Sequence, residues 1–335
     1  MNVKLGRTTV RKGNYGDTYK EWFNFVAEHQ MEVTFLLIST LLLGDLLHLP
    51  WASKFVRPSY RDDQGFYHKG KSDLCFVFFW TVGFTFLRAG MSWILKPISK
   101  HFGLESPSRT ARFLEQGWLL IYYTTSLAVG LYISYHSKYW FDTRHFWIGY
   151  PHLHMSKLTK CYYLAQTSFW LHQIFVLHTE KKRKDYHQMV THHVVTSMML
   201  LVSYYTHFTS IGIMVLCMMD SADCVLSLGK CLRYIRYQKA CDTVFGLFAI
   251  TWGYTRHVLY FQFMWSIWHE ADQYLSVDCR PLEGKFLCRE IQYAFLLAFA
   301  LLQILMMYWF SHILRIIYLV LRGTGAADTR SDSEG

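Results

Sequence analysis

The chain has 335 residues, of which 52% are hydrophobic, 18% aromatic and only 17% charged, against roughly 25% charged in an average soluble domain. Its 34 basic and 24 acidic residues give a formal net charge of +10. With six prolines and twenty glycines, this excludes a disordered chain, a collagen-like repeat and a small disulfide scaffold.

Residues 1–32 are basic and polar, with Lys4, Arg7, Arg11, Lys12 and Lys20 and no apolar run. No cleavable signal peptide is expected, and the first apolar block, 33–49, should stay as a signal anchor. Seven more mostly apolar blocks follow, at 74–95, 117–135, 161–178, 190–206, 209–229, 243–268 and 291–321. A hydrocarbon core of ~30 Å needs about 20 helical residues, close to most of these lengths. The expected fold class is all-α, a polytopic membrane protein with seven to eight transmembrane helices.

Basic loops orient such a chain. With a cytosolic N-terminus and eight spans, the cytosolic loops hold Lys96, Lys100, Arg109 and Arg112, then Lys181, Lys182, Arg183 and Lys184, then Lys230, Arg233, Arg236 and Lys239. The C-terminus is then cytosolic too. The loop 269–290, with Glu270, Asp272, Asp278 and Glu283, falls on the other side. The loop 53–72 breaks the rule, carrying Lys54, Arg57, Arg61, Lys69 and Lys71 on the outer face. No nucleic-acid partner is expected, because the basic residues are scattered among short juxtamembrane loops, where anionic membrane lipids account for them.

The eight cysteines form no CxxC pair and no zinc spacing. Cys279 and Cys288 share the outer loop, where an oxidising lumen permits a disulfide. Cys217, Cys224 and Cys231 recur every seven residues and read as small residues at a helix–helix contact. No metal is expected: His192–His193 is the one adjacent histidine pair, His152 and His154 form an isolated HxH, and no HxxHH box of the di-iron kind occurs.

An ionisable residue inside a membrane helix costs roughly 2.5–3.5 kcal/mol, so it signals function or a partner. Asp220 and Asp223 lie in the sixth block at i, i+3, on one helical face. His192 and His193 lie in the fifth block, joined to the sixth by a short turn. Asp223 should lie about 9 Å from the cytosolic surface, at the depth of the histidines. Thr196 follows His192 by four residues; Lys230 ends the aspartate helix, and Arg256, with His257 beside it, sits in the seventh block. Histidine, carboxylate and hydroxyl together suit general acid–base or nucleophilic chemistry, with a carboxylate orienting the imidazole. Interhelical hydrogen bonding is the plain reading of any one of them taken alone.

The stretch 162–237 resembles the Lag1 motif of ceramide synthases, within the wider TLC domain. The residues that carry it are Arg183, Lys184 and Asp185, the pair His192–His193, and MDSADCVLSLGK with Asp220 and Asp223. The FWIGYPH approach makes the resemblance closest to the fungal type, and Ser227–Leu228–Gly229 before Lys230 departs from the more polar sequence of many members. The resemblance implies a TLC-type helical bundle over 109–321 enclosing a substrate tunnel, after an N-terminal transmembrane part at 33–108. It implies an endoplasmic-reticulum enzyme that moves a fatty acyl group from acyl-CoA, a co-substrate rather than a bound cofactor, to the amine of a sphingoid base. By motif position, His192, His193, Asp220 and Asp223 are the expected catalytic residues. Two routes stay open, one histidine acting as general base in direct transfer or one taking the acyl group as an acyl-imidazole. The covalent route is preferred, with His192 rather than His193 as nucleophile by a narrow margin and Asp223 or Asp220 as its orienter. Arg183, Lys184, Asp185, Thr196, Lys230, Trp252 and Arg256 are the expected substrate-binding residues. Fungal members can take a small accessory membrane subunit or dimerise. A non-catalytic TLC-type lipid sensor or membrane chaperone is the alternative, and a membrane O-acyltransferase is a further one. The acidic tail 322–335 holds Ser331 and Ser333, each before an acid, as phosphorylation candidates.

Overall fold

Each apolar block needs a way to satisfy its backbone away from water, and the helix is the one that works within a single segment. A computed structural model describes residues 29–180, 182–275 and 279–322; the candidate phosphosites Ser331 and Ser333 lie outside them, as does Lys181. In chain order come α1 (Gln30–Leu46), α2 (Pro50–Val56), α3 (Asp73–His101), α4 (Pro107–Tyr135), α5 (Lys157–Thr179), α6 (Tyr186–Tyr205) and α7 (Thr209–Tyr234). Then α8 starts as Gln238–Gly253 and runs on through Tyr254–Leu259, Tyr260–Trp265, Ser266–Glu270 and Ala271–Tyr274 without leaving the helical region. The last helix is α9 (Arg289–Leu321). Among the described residues the only β-pairing is in isolated bridges. The protein is an all-α membrane protein, with α3, α4, α7 and α9 each long and apolar enough to cross a bilayer.

Local chemistry sets the helix starts. Pro107 opens α4 at a position where its missing N–H costs nothing. The Ser156 hydroxyl accepts from Thr159 N at 3.1 Å and caps α5. In α8 the segments Tyr254–Leu259 and Ser266–Glu270 are π-turns, each widened by an extra residue.

Six helices close into a ring in the order α4, α5, α6, α9, α8, α7 and back to α4, while α3 packs outside on α4 and α5, and α1 on α3. The α4–α7 seam is the closest. There Thr124 Oγ1 meets Cys224 Sγ at 3.1 Å, and a Cβ added to Gly130 would come 3.2 Å from Cys217 Cβ and 2.7 Å from Tyr162 Oη. The cysteine face thus packs between helices, and Gly130 is required for the approach.

The connections alternate between two ends. At one, Arg183 pairs with Glu115, Arg88 with Glu180, and the rings of Phe102 and Tyr237 meet at 6.4 Å. We call this the basic end. At the opposite end Tyr67 N donates to Met155 O at 2.9 Å, Tyr150 Oη to Thr206 O at 2.8 Å, and Phe286 N to Tyr150 Oη at 3.0 Å.

Of the five basic residues of the 53–72 loop, which break the positive-inside count, Arg57 and Lys69 are held within the fold, while Lys54, Arg61 and Lys71 are exposed. Arg57 grips Asp45 with bonds of 2.9 and 3.0 Å. Lys69 lies over the Tyr204 ring, and burial pushes its ammonium down to about 7. Beside it, fully buried Lys160 reaches Asp73 at 2.7 Å and donates to Ser59 O at 2.8 Å. Such a loop is a folded cap rather than a free basic tail.

The disulfide that the outer loop permits is not formed. Arg280 and Lys285 pair antiparallel, which sets position 279 across from 286 rather than 288.

Candidate active site

The ring encloses a cavity of about 330 Å³, within the usual size range for a ligand site. Along α9 its wall runs from Gln292 to Ile313, about 32 Å at 1.5 Å per residue, or roughly the thickness of a hydrocarbon core. Most of that wall is apolar, and the polar groups gather toward the basic end.

His192 and His193 lie one turn and a half into α6, and both line the cavity. Trp170 of α5 and Trp309 of α9 flank the His192 ring edge-on, each at 5.5 Å between centroids. Trp170 also lies 5.2 Å from His193. No described side chain bonds to Nδ1 of either histidine. Asp185, just before α6, accepts from Trp309 Nε1 at 3.2 Å, so it fixes the indole that flanks His192. Thr196, one turn on from His192, lines the same cavity, and its hydroxyl is buried without a described partner.

Across the cavity, Arg256 sits in the first π-turn of α8. It is 4% exposed, its Nη2 donates to Asp223 Oδ1 at 2.8 Å and Met219 O at 3.2 Å, and its guanidinium lies 4.1 Å from the centre of the Trp252 ring. A buried ion pair is costly unless further bonds support it, and the carbonyl and the aromatic face supply that support. Nη1 remains without a described partner. His257, the next residue, turns to Gln303 at 2.8 Å.

The two aspartates part company. Asp223 lines the cavity, whereas Asp220 does not: fully buried, it accepts from Ser126 Oγ at 2.6 Å and Gln166 Nε2 at 2.8 Å. Gln166 Oε1 in turn accepts from Tyr122 Oη at 2.8 Å. This knot joins α4, α5 and α7. Neither carboxylate bonds to a histidine, so the expected orienting carboxylate is absent among the described residues; Arg256 and the Ser126–Gln166 pair hold the two instead. Helices α6 and α7, expected as a close hairpin, touch little, because the cavity lies between them.

The mouth at the basic end is lined by Lys182, Arg183, Lys230, Arg112 and Glu115. Glu115 takes Arg183 and, at 3.3 Å, Arg112. Lys184 is exposed and does not line the cavity. Glu115, Trp170 and Trp309 are cavity residues that the sequence reading passed over. An acid at the head of an apolar block was the available signal for Glu115; a tryptophan among so many aromatics carried none.

The segment 112–315 matches the family described as the TLC domain. The chain belongs to the TLC-domain family. The matched TLC segment starts in α4 and ends in α9, so it spans the six-helix ring and leaves α1–α3 outside. Among similar TLC proteins, the sphingosine N-acyltransferase-like protein ALT7 of Alternaria alternata is 39% identical over 307 residues, covering 83% of this chain and 71% of its own. The sphingosine N-acyltransferase lag1 of Schizosaccharomyces pombe is 37% identical over 288 residues, covering 85% and 74%. The ceramide synthase LAG1 of Saccharomyces cerevisiae is 38% identical over 289 residues, covering 84% and 69%.

Proposed function

We propose that this TLC protein transfers a fatty acyl group from acyl-CoA to the amine of a sphingoid base, giving a ceramide or dihydroceramide. The site of action is the endoplasmic-reticulum membrane, with the basic end and both termini in the cytosol. The observation that carries the reading is the long, mostly apolar cavity in which a polar stretch, His192, His193, Thr196, Arg256 and Asp223, lies beneath a Lys/Arg-rich mouth. Such a cavity suits a ligand with one polyanionic head and one long hydrocarbon tail. The names of the fungal relatives support the same reaction class.

In the proposed course, the coenzyme A phosphates rest on Lys182, Arg183 and Lys230, and the acyl chain runs down the wall of α9. The unprotonated ring nitrogen of His192 attacks the thioester carbonyl. The C–S bond breaks, and coenzyme A leaves as its thiol, taking the imidazole N–H proton. Arg256 Nη1 and the Thr196 hydroxyl donate to the oxyanion of the tetrahedral intermediate. The resulting acyl-imidazole is then attacked by the sphingoid amine. His193 removes the ammonium proton beforehand, and the departing His192 imidazole takes back one amine proton. Asp185 acts as a positioning residue through Trp309, and Asp223 through Arg256.

Intact mass spectrometry of the purified protein after incubation with a long-chain acyl-CoA, without sphingoid base, tests this. An added acyl mass, absent in His192→Ala and discharged as ceramide when sphinganine is added, is the expected result. Ceramide formation with no adduct would replace the covalent route with His192 as a general base. Neither adduct nor ceramide from monodisperse protein, with the accessory subunit supplied, would overturn the transferase reading in favour of a lipid sensor.

A further inference from the structure

A second cluster of chemistry-bearing side chains lies outside the cavity lining, at the end opposite the basic mouth, where the 53–72 loop folds against the segment before α5. Tyr67 and Met155 exchange backbone hydrogen bonds of 2.9 and 3.1 Å in an antiparallel bridge, which puts positions 68 and 154 directly across from each other. The rings of His68 and His154 accordingly sit 4.8 Å apart. A second bridge, Arg61 to Tyr67, turns the loop back on itself. In that turn Phe66 N donates to Asp62 Oδ1 at 2.8 Å and Asp62 N to Phe66 O at 2.8 Å. Asp62 Oδ2 is thereby aimed at the histidines, 3.1 Å from His68 Nε2 and 3.6 Å from His154 Nδ1.

We propose that Asp62, His68 and His154 form a zinc site that fastens the 53–72 loop, and with it α1–α3, to the six-helix ring. Their three ligand atoms lie within 4.8 Å of one another. Zinc bonds of about 2.0–2.1 Å in tetrahedral array place ligand atoms about 3.3 Å apart, a value that the two carboxylate–imidazole distances bracket. Two imidazoles and one carboxylate oxygen favour zinc over magnesium or calcium, which prefer all-oxygen cages. A simple ion pair would need only one of the two rings. Access is open, since the His154 side chain is 57% exposed, and the fourth position falls to water. The frame is held independently, because buried Lys160 donates to His68 O at 2.6 Å.

The test uses the full chain purified in detergent on a tag other than polyhistidine, stripped with EDTA and then dialysed against buffered zinc. One zinc per chain by mass spectrometry, and a melting temperature several degrees above that of the stripped protein, are expected. His154→Ala and Asp62→Asn should each bind zinc at least tenfold more weakly and lose the thermal shift, while the neighbouring His152→Ala keeps both. Equal zinc retention by the His154→Ala and Asp62→Asn proteins, or no zinc on monodisperse wild type, overturns the proposal. Should either substitution aggregate, cobalt-loaded wild type decides alone. Intense visible bands of a tetrahedral ion support the site, and a weak octahedral spectrum overturns it.

Discussion

Two carboxylates one turn apart on α7 meet opposite surroundings. Asp220 faces the α4–α5 seam, where its Oδ2 accepts from Ser126 and Gln166, its Oδ1 has no described partner, and it does not line the cavity. Asp223 faces the cavity, bonded to an arginine that still offers a donor to whatever enters. A polar group bonded only across a seam between helices holds them together, whereas one with spare hydrogen-bonding capacity beside a cavity is available for chemistry. Neither burial nor an unmet polar atom distinguishes the two kinds, since Asp220 Oδ1 and Arg256 Nη1 both lack a described partner; access to the cavity does.

The contrast is tested most severely at the cavity side. His192→Ala should lower ceramide formation by about 10²–10⁴-fold, with thermal unfolding in detergent unchanged. A comparable loss of melting temperature would mean that the histidine belongs with the structural knot after all. Next comes the seam. Asp220→Leu leaves the Ser126 hydroxyl donor unmet, at about 1–3 kcal/mol, and removes one acceptor of the Gln166 amide, so it should lower the melting temperature and folded yield. Asp220→Asn, whose amide oxygen can accept the same bonds, should recover most of both. A smaller effect sharpens the other half of the comparison. In a cycle of Asp223→Leu, Arg256→Met and the double variant, unfolding should return a coupling of about 0.5–3 kcal/mol, while activity falls in all three. The least is expected at the deep end, where Phe295→Ala should move acyl-chain preference a few-fold toward longer chains. Competition between acyl-CoAs of different length, read by lipid mass spectrometry, checks it.

Much of this architecture was legible in the sequence. The eight apolar blocks each coincide with a helix, since segment length and apolarity are what a bilayer selects. The ends were not, because helices continue into the headgroup region where hydropathy no longer registers: α3 runs on to His101 and α7 to Tyr234. The π-turns that carry Arg256 left no compositional trace. For the site, Thr196, Trp252, Arg256 and the histidine pair all face one cavity, as do Arg183, Asp185 and Lys230. Asp220 does not, for a geometric reason. Residues at i, i+3 differ by about 60° around a helix, enough for one to enter a cavity while the other enters a seam. The triad Asp62–His68–His154 was out of reach, since it depends on a bridge between segments almost ninety residues apart, Tyr67 with Met155.

The deep end of the cavity is closed by a cluster in which Phe208 meets Trp147 at 6.0 Å, Phe295 at 5.7 Å and the stacked ring of Tyr150 at 4.8 Å. Trp147 is itself tethered through Nε1 to Ser266 Oγ at 2.9 Å, which in turn donates to Glu270 Oε2 at 2.6 Å. A bundle that keeps a hollow as long as the bilayer is thick is one gap short of being a pore. These four packed rings put apolar surface where a pore would need water, so the same contacts that shape the substrate cavity raise the barrier to ions and protons.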